Sequence, residues 1–223
     1  KIVREFKKGL LKVRSVTLSK LGKNIHEVIQ EHRNEREYGI ETSGGSYCTD
    51  DDTTYHDSHM YSPIPYSDLE RIIFRLNCNS QDVFVDIGCG KGRVLVFVAQ
   101  TKIKKIIGIE FRKDLAEDAI QNIKKIKNKL LHIKIINADA AKCDLREGTI
   151  FFMYSPFGES TFKAVIENIK STYVKNPRSI SIVYFDIKIS RIEQIFSFMQ
   201  DQGWLFFKEK VNCSGHAYIW QTI

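Results

Sequence analysis

The chain has 223 residues, 43% of them hydrophobic, enough to bury one substantial core with additions. Its net charge of +7 comes wholly from residues 1–23, where eight lysines and arginines stand against Glu5 alone; the rest of the chain is balanced. No run of about 18 apolar residues offers a transmembrane segment, and charges interrupt the apolar positions of the basic N-terminus where a signal peptide would need a continuous run. The five cysteines (Cys48, Cys78, Cys89, Cys143, Cys213) form no C-x-x-C pair, which argues against a disulfide framework or zinc knuckle and for reduced thiols in a cytoplasmic protein.

In chain order, Val3, Phe6, Leu10 and Val13 recur at helical spacing among basic residues, and Leu21, Ile25, Val28 and Ile29 continue the pattern. Residues 1–38 therefore read as a basic amphipathic helical extension. Its functional reading is docking of residues 1–23 onto an anionic surface, either RNA or membrane headgroups; the plainer reading is a helix packed on its own domain.

Residues 39–66 are polar and rich in glycine and tyrosine, with Pro63 and Pro65 near the end. A loop of this length inside a compact domain is usually functional, so it reads as a lid, with Tyr61 and Tyr66 as substrate or lid contacts. Asp50–Asp52 with His56 and His59 offer metal-ligand chemistry, but adjacent acids in a loop are more simply solvated, and no metal is expected.

From residue 67 to 223 the text becomes regular. "SDLE" at Ser67 carries an S-x-x-E capping pattern ahead of Leu69, Ile72, Ile73 and Leu76, and "SRIE" at Ser190 repeats it before a helix that Gly203 closes. Apolar strands are predicted at 83–87, 105–109, 132–136, 149–154, 179–185, 204–211 and 216–222, with helical patterns between the first and second, second and third, fourth and fifth, and fifth and sixth. Strands alternating with helices predict an α/β fold, a doubly wound, mostly parallel seven-stranded sheet with helices on both faces. The last two strands follow one another without a helix and read as an antiparallel hairpin at one edge.

In such sheets ligands sit beyond the carboxyl ends of the strands, where strand order reverses. "VFVDIGCGKGRV" ends the first core strand there. Gly88 and Gly90 fit the dinucleotide pattern G-x-G-x-x-G, but its third position is Arg93, and the third glycine falls at Gly92. No phosphate-cradling G-K-[ST] loop exists. The remaining fit is a nucleoside without phosphate, and S-adenosylmethionine has that character. Gly88, Gly90 and Gly92 permit close approach of a backbone to a ligand, with Asp86 just ahead of them. Glu110 ends the second strand, where a carboxylate can accept both ribose hydroxyl protons. Asp139 follows the third strand, placed to accept from an adenine amino group, and the Ala140 N–H can meet a ring nitrogen.

"VFVDIGCGKGRV", "KIIGIEFRKDLAEDAIQNI", "INADAA" and "FFMYSPFG" resemble, in order and spacing, the motifs of class I S-adenosylmethionine-dependent methyltransferases. "REYGIETSGG" and "YSPIPYSDLERII" resemble upstream segments of a group of poorly characterised bacterial methyltransferases, and the P-x-P-Y approach is similar to that of seven-strand protein lysine methyltransferases. The resemblance implies in-line transfer of the sulfonium methyl with S-adenosylhomocysteine as product. It also implies an acceptor side at the end of the fourth strand, where amine-methylating relatives carry Asn or Asp, then Pro-Pro and an aromatic residue. Ser155 stands in that place, followed by Pro156 and Phe157, and Tyr154 precedes it. Tyr154 and Ser155 are the candidates for positioning substrate, and Pro156 and Phe157 for walling the pocket. A protein lysine, a small-molecule or glycan hydroxyl, and RNA remain open as acceptors, as does a binding module without catalysis.

Overall fold

A computed structural model describes residues 18–44, 57–126 and 131–223, and the chain divides into two units, Lys1–Glu37 and Tyr38–Ile223. Of the first unit, the described part is a helix, α1, running Leu18–Tyr38 into the second unit; its Val28 and Ile29 are exposed. The basic stretch Val3–Val13, Asp50–Asp52, His56 and Cys48 lie outside the described residues.

The second unit is built on seven strands: β1 Val83–Ile87, β2 Lys105–Glu110, β3 His132–Asn137, β4 Ile150–Tyr154, β5 Ser181–Asp186, β6 Leu205–Asn212 and β7 His216–Thr222. They lie in the order β3-β2-β1-β4-β5-β7-β6, parallel except for β7, which runs against both β5 and β6. The sheet is therefore doubly wound with a reversed edge hairpin. Its central strands β1, β4 and β5 are buried almost end to end, because helices cover both faces. Edge strand β3 instead alternates between exposed and half-buried positions, and edge strand β6 carries a bulge between Phe207 and Glu209 that breaks the flat edge.

The helices of this unit are α2 Tyr66–Leu76, α3 Arg93–Val98, α4 Lys113–Ile123, α5 Glu159–Lys175 and α6 Ile189–Gln200. On one face Leu69, Ile72, Leu95, Val98 and Ala119 pack with Phe84, Ile106 and Phe152. On the other, Phe162, Ile166, Ile192 and Met199 pack with Val85, Phe151, Tyr184 and Trp220. Alternate strand residues feed opposite cores, so a one-residue slip would reverse every side chain.

Both capping patterns are displaced from the caps. Helix α2 starts at Tyr66 behind Pro65, and the Asp68 and Leu69 N–H groups donate to the Pro65 carbonyl (3.1 and 3.0 Å), so Ser67 sits inside the first turn. Proline at that place fixes φ and leaves its carbonyl to accept the first helical bonds. Helix α6 starts at Ile189 behind Lys188, which again puts Ser190 inside. That helix ends at Gln200 with Asp201 as its cap in right-handed geometry, so Gly203 lies beyond the end rather than closing it.

Candidate functional site

Strand order reverses between β1 and β4, and a cavity of about 420 Å³ opens beyond the carboxyl ends of the central strands. Asp86, Gly88, Gly90, Glu110, Asp139, Ala140, Tyr154, Ser155, Pro156, Phe157 and Tyr61 all line it. Gly92 and Tyr66 do not.

The glycine turn shows why its residues are small. Gly88 (φ 78°) and Gly90 (φ 52°) occupy left-handed backbone, and a Cβ on either would collide, with Pro156 at the first and with the Tyr61 ring at the second. Gly92 is also left-handed, faces Ala119 and opens α3, which gives its glycine a backbone reason of its own.

Glu110 ends β2, and its two oxygens accept from the Gly90 N–H and the Arg112 N–H, each at 2.9 Å. Burial pushes its carboxyl above the usual range, with those N–H groups opposing the shift. Each oxygen keeps a lone pair for a further donor. Asp86 is deeply buried, one of its oxygens has no hydrogen-bond partner among the described residues, and burial with nearby Glu110 drives its carboxyl well upward. Asp139 accepts from the Ala141 N–H (2.9 Å) and opens a short 3₁₀ turn, Ala140–Lys142, with Lys142 Nζ 3.3 Å from its second oxygen.

A second group of residues lies at the ends of β4 and β5. His59 Nδ1 is 2.7 Å from the Ser155 carbonyl oxygen and 3.2 Å from Ser155 Oγ. Arg191 Nη1, from α6, reaches Ser155 Oγ at 3.0 Å and lies 3.6 Å from the buried carboxylate of Asp186. Tyr184 is hydrogen-bonded to the Ser155 side chain and its phenol is pushed up to about 12, mainly by burial. Burial also raises the Tyr154 phenol, so both stay protonated. Ser155 itself has φ 37°, a left-handed geometry that costs a non-glycine residue on the order of 1–2 kcal/mol and turns its carbonyl toward His59.

Segment Asp57–Ile64 roofs the cavity and is anchored to β4's end. The His59 N–H donates to the Pro156 carbonyl (3.0 Å), Ser58 bridges Phe157, and the Gly158 N–H donates to the Asp57 carbonyl (2.8 Å). The residue that spoils the dinucleotide pattern has a structural task here. Arg93 is buried, its Nε donates to Thr42 Oγ1 (2.7 Å) and its Nη1 to the Ile64 carbonyl (2.9 Å), and its guanidinium lies 4.5 Å from the Tyr66 ring centroid. Tyr61 donates in turn to the Thr42 carbonyl (2.6 Å). In the sequence Arg93 reads only as a missing glycine, and Arg191 carries no signal at all. Nothing in either local pattern signals a partner so far along the chain.

The strand order, the reversed β7 and a cavity at the switch point define the fold as that of the class I, seven-strand S-adenosylmethionine-dependent methyltransferases. An RNA methyltransferase from Salinibacter ruber, in complex with S-adenosyl-L-homocysteine, has a TM-score of 0.53 at 20% identity, over 72% of this chain and 94% of that one. The tRNA (m1A58) methyltransferase of Aquifex aeolicus has a TM-score of 0.57 at 13% identity, over 73% and 71%. More particularly, residues 80–158 match the family described as "Putative methyltransferase". In sequence the chain is 26% identical over 95 residues to a protein-lysine N-methyltransferase of Saccharolobus islandicus, covering 42% of this chain and 58% of that one. It is 29% identical over 161 residues to a histone-lysine N-methyltransferase specific for H3 lysine-79 from Dictyostelium discoideum, covering 61% and 9%. The chain thus spans little more than half of the first of these curated relatives and a small part of the second. Among the described residues no helix is long and apolar enough to cross a membrane, and no cluster of metal-ligating side chains is present.

Proposed function

We propose that the chain is an S-adenosylmethionine-dependent methyltransferase acting on a protein lysine amino group. The observation that carries the cofactor assignment is the convergence of the glycine turn, Asp86, Glu110 and Asp139 on one cavity at the switch point. The residues fit the cofactor chemically. The left-handed Gly88 and Gly90 leave room along the turn, and the unpartnered oxygen of Asp86 suits an ammonium group. The spare lone pairs of Glu110 suit a pair of ribose hydroxyls, and Asp139 with Ala140 suits an adenine edge. When bound, the cofactor supplies a methyl group on a sulfonium that leaves readily, so the protein's work is positioning and exclusion of water. The segment 57–64 acts as a lid in this reading, with Tyr61 against the glycine turn.

The lysine acceptor rests on the two lysine methyltransferase relatives and on the cavity wall formed by Tyr154 and Asp186, where aromatic and acidic groups suit an alkylammonium. Calorimetry tests the cofactor: S-adenosylmethionine is expected to bind and NAD not to, and the reverse would overturn the assignment. Incubating a cell extract with tritiated S-adenosylmethionine and sorting the label by fraction tests the acceptor. Label in protein lysine is expected. Label confined to RNA, glycan or small molecules would replace the acceptor, and cofactor binding with no transfer would favour a binding module.

A further inference from the structure

The group at the end of β4 contains one nitrogen lone pair whose position the hydrogen bonding dictates. His59 Nδ1 lies 2.7 Å from the Ser155 carbonyl oxygen, which can only accept, so Nδ1 carries the proton and donates it there. Arg191 Nη1 is 3.1 Å from the same Nδ1, but a guanidinium can only donate and finds no lone pair on a protonated nitrogen; its hydrogen bond goes to Ser155 Oγ instead. The imidazole lone pair is thereby confined to Nε2, which makes no hydrogen bond among the described residues, on a side chain that lines the cavity.

Resting on the methyltransferase reading above, we infer that His59 is the general base of the transfer, with Nε2 removing a proton from the acceptor's ammonium. The proton passes from the acceptor nitrogen to Nε2. The freed nitrogen lone pair then forms a bond to the methyl carbon as the carbon–sulfur bond breaks, its electron pair staying on sulfur. The imidazolium afterwards releases its proton to solvent. The reaction thus consumes one ammonium and one sulfonium and yields a methylated ammonium, a thioether and one proton. Ser155 and Arg191 are positioning residues in this scheme: the carbonyl of the first fixes the tautomer, and the second holds its hydroxyl.

The charged groups facing His59 are Arg191 from α6, Asp186 from the end of β5, and Asp57 on its own segment. Burial is the largest influence on the imidazole and Arg191 acts in the same direction; the Ser155 carbonyl and the two acids oppose them, and the net effect is a pKa below the ordinary histidine value. His59 is therefore neutral and able to accept a proton at neutral pH. The same burial and the same guanidinium also make an incoming ammonium more acidic, which shortens the climb of the proton transfer.

The test compares wild type with His59→Gln and His59→Ala, by calorimetry with S-adenosylmethionine and by the initial rate of tritium incorporation into extract protein between pH 6 and 10. Cofactor affinity is expected to change by less than about threefold, while incorporation at pH 7 falls by about 10²–10⁴-fold and partly recovers toward pH 10, where solution supplies free amine. Wild type should lose rate on the acid side with a midpoint below 6.5, and that limb should vanish in both variants. Equal rates at pH 7, or the same acid limb in the variants, would overturn the base assignment while leaving cofactor binding intact. Failure of wild type to bind S-adenosylmethionine would instead sink the methyltransferase reading. A measurement independent of the acceptor is nitrogen-15 NMR of histidine-labelled protein, with the His59 signal identified by its absence from His59→Gln. The Nδ1-protonated neutral tautomer is expected, and an Nε2-protonated ring would overturn the proposal.

Discussion

The two halves of the cavity are built differently. The half proposed to hold the methyl donor rests on short stretches of chain: the turn after β1, the last residue of β2 and the turn after β3, each fixed by a parallel strand on which it sits. Glu110 meets Gly90 across one strand pairing, and Asp139 caps its own turn. The half proposed to face the acceptor is assembled from His59, Ser155, Asp186 and Arg191, which come from a roof segment, two strand ends and a helix; His59 and Arg191 are 132 residues apart in the chain. The first half is made by local sequence on a rigid scaffold. The second exists only once the roof segment, β4, β5 and α6 have come together, and that is the kind of site that can vary while the scaffold stays fixed.

This contrast can be broken most sharply at Glu110. Glu110→Ala removes the carboxylate that faces the cavity and frees the Gly90 N–H, and should weaken S-adenosylmethionine binding by about 100-fold, the loss of two charge-assisted hydrogen bonds. Affinity within a few-fold of wild type by calorimetry would mean the donor half is elsewhere. Arg93→Met should come next. It removes the Arg93 donations to Thr42 Oγ1 and the Ile64 carbonyl, loosens the roof, and is expected to weaken cofactor binding by about 10-fold and destabilise the protein by roughly 2–3 kcal/mol. Chemical denaturation with and without cofactor separates the two effects, and unchanged proteolysis within residues 42–66 would count against a loosened roof.

Asp139→Ala should cost about 5–10-fold in affinity, a smaller loss because this carboxylate is half-exposed and already shared with the Ala141 N–H and Lys142. The smallest expected effect is on the acceptor side. Arg191→Met removes a donor to Ser155 Oγ and the partner of Asp186, yet should leave cofactor affinity within about twofold, because it touches no donor-half residue. It should also shift the acid limb of the rate upward, since the guanidinium helps hold His59 below its ordinary pKa. A large loss of cofactor binding in this variant would erase the distinction between the halves.

Ser155 shows how the two kinds of information divide. Its place after β4 is legible from the hydrophobic run Ile150–Tyr154, and its departure from Asn or Asp is plain in the sequence. Its left-handed φ and the resulting aim of its carbonyl at His59 are not, because serine has no preference for that geometry and only the surrounding bonds hold it there. Arg93 makes the same point from the other direction. A residue that merely failed a motif turns out to be a buried anchor, and the partners that explain it, Thr42 and Ile64, lie 51 and 29 residues upstream.

By itself, then, the sequence determined the alternation of strands and helices, the reversed edge hairpin, the glycine turn and the acids at the ends of β2 and β3. Period, composition and turn chemistry act over a few residues and are written in order along the chain. The tertiary structure alone decided that Gly92 serves a helix start, that Tyr66 packs in the core, and that α2 and α6 begin ahead of their serines. It also decided which nitrogen of His59 carries the proton. Those outcomes depend on atoms brought within about 3 Å from distant parts of the chain, and hydrogen bonding at that range leaves no periodic trace in the sequence.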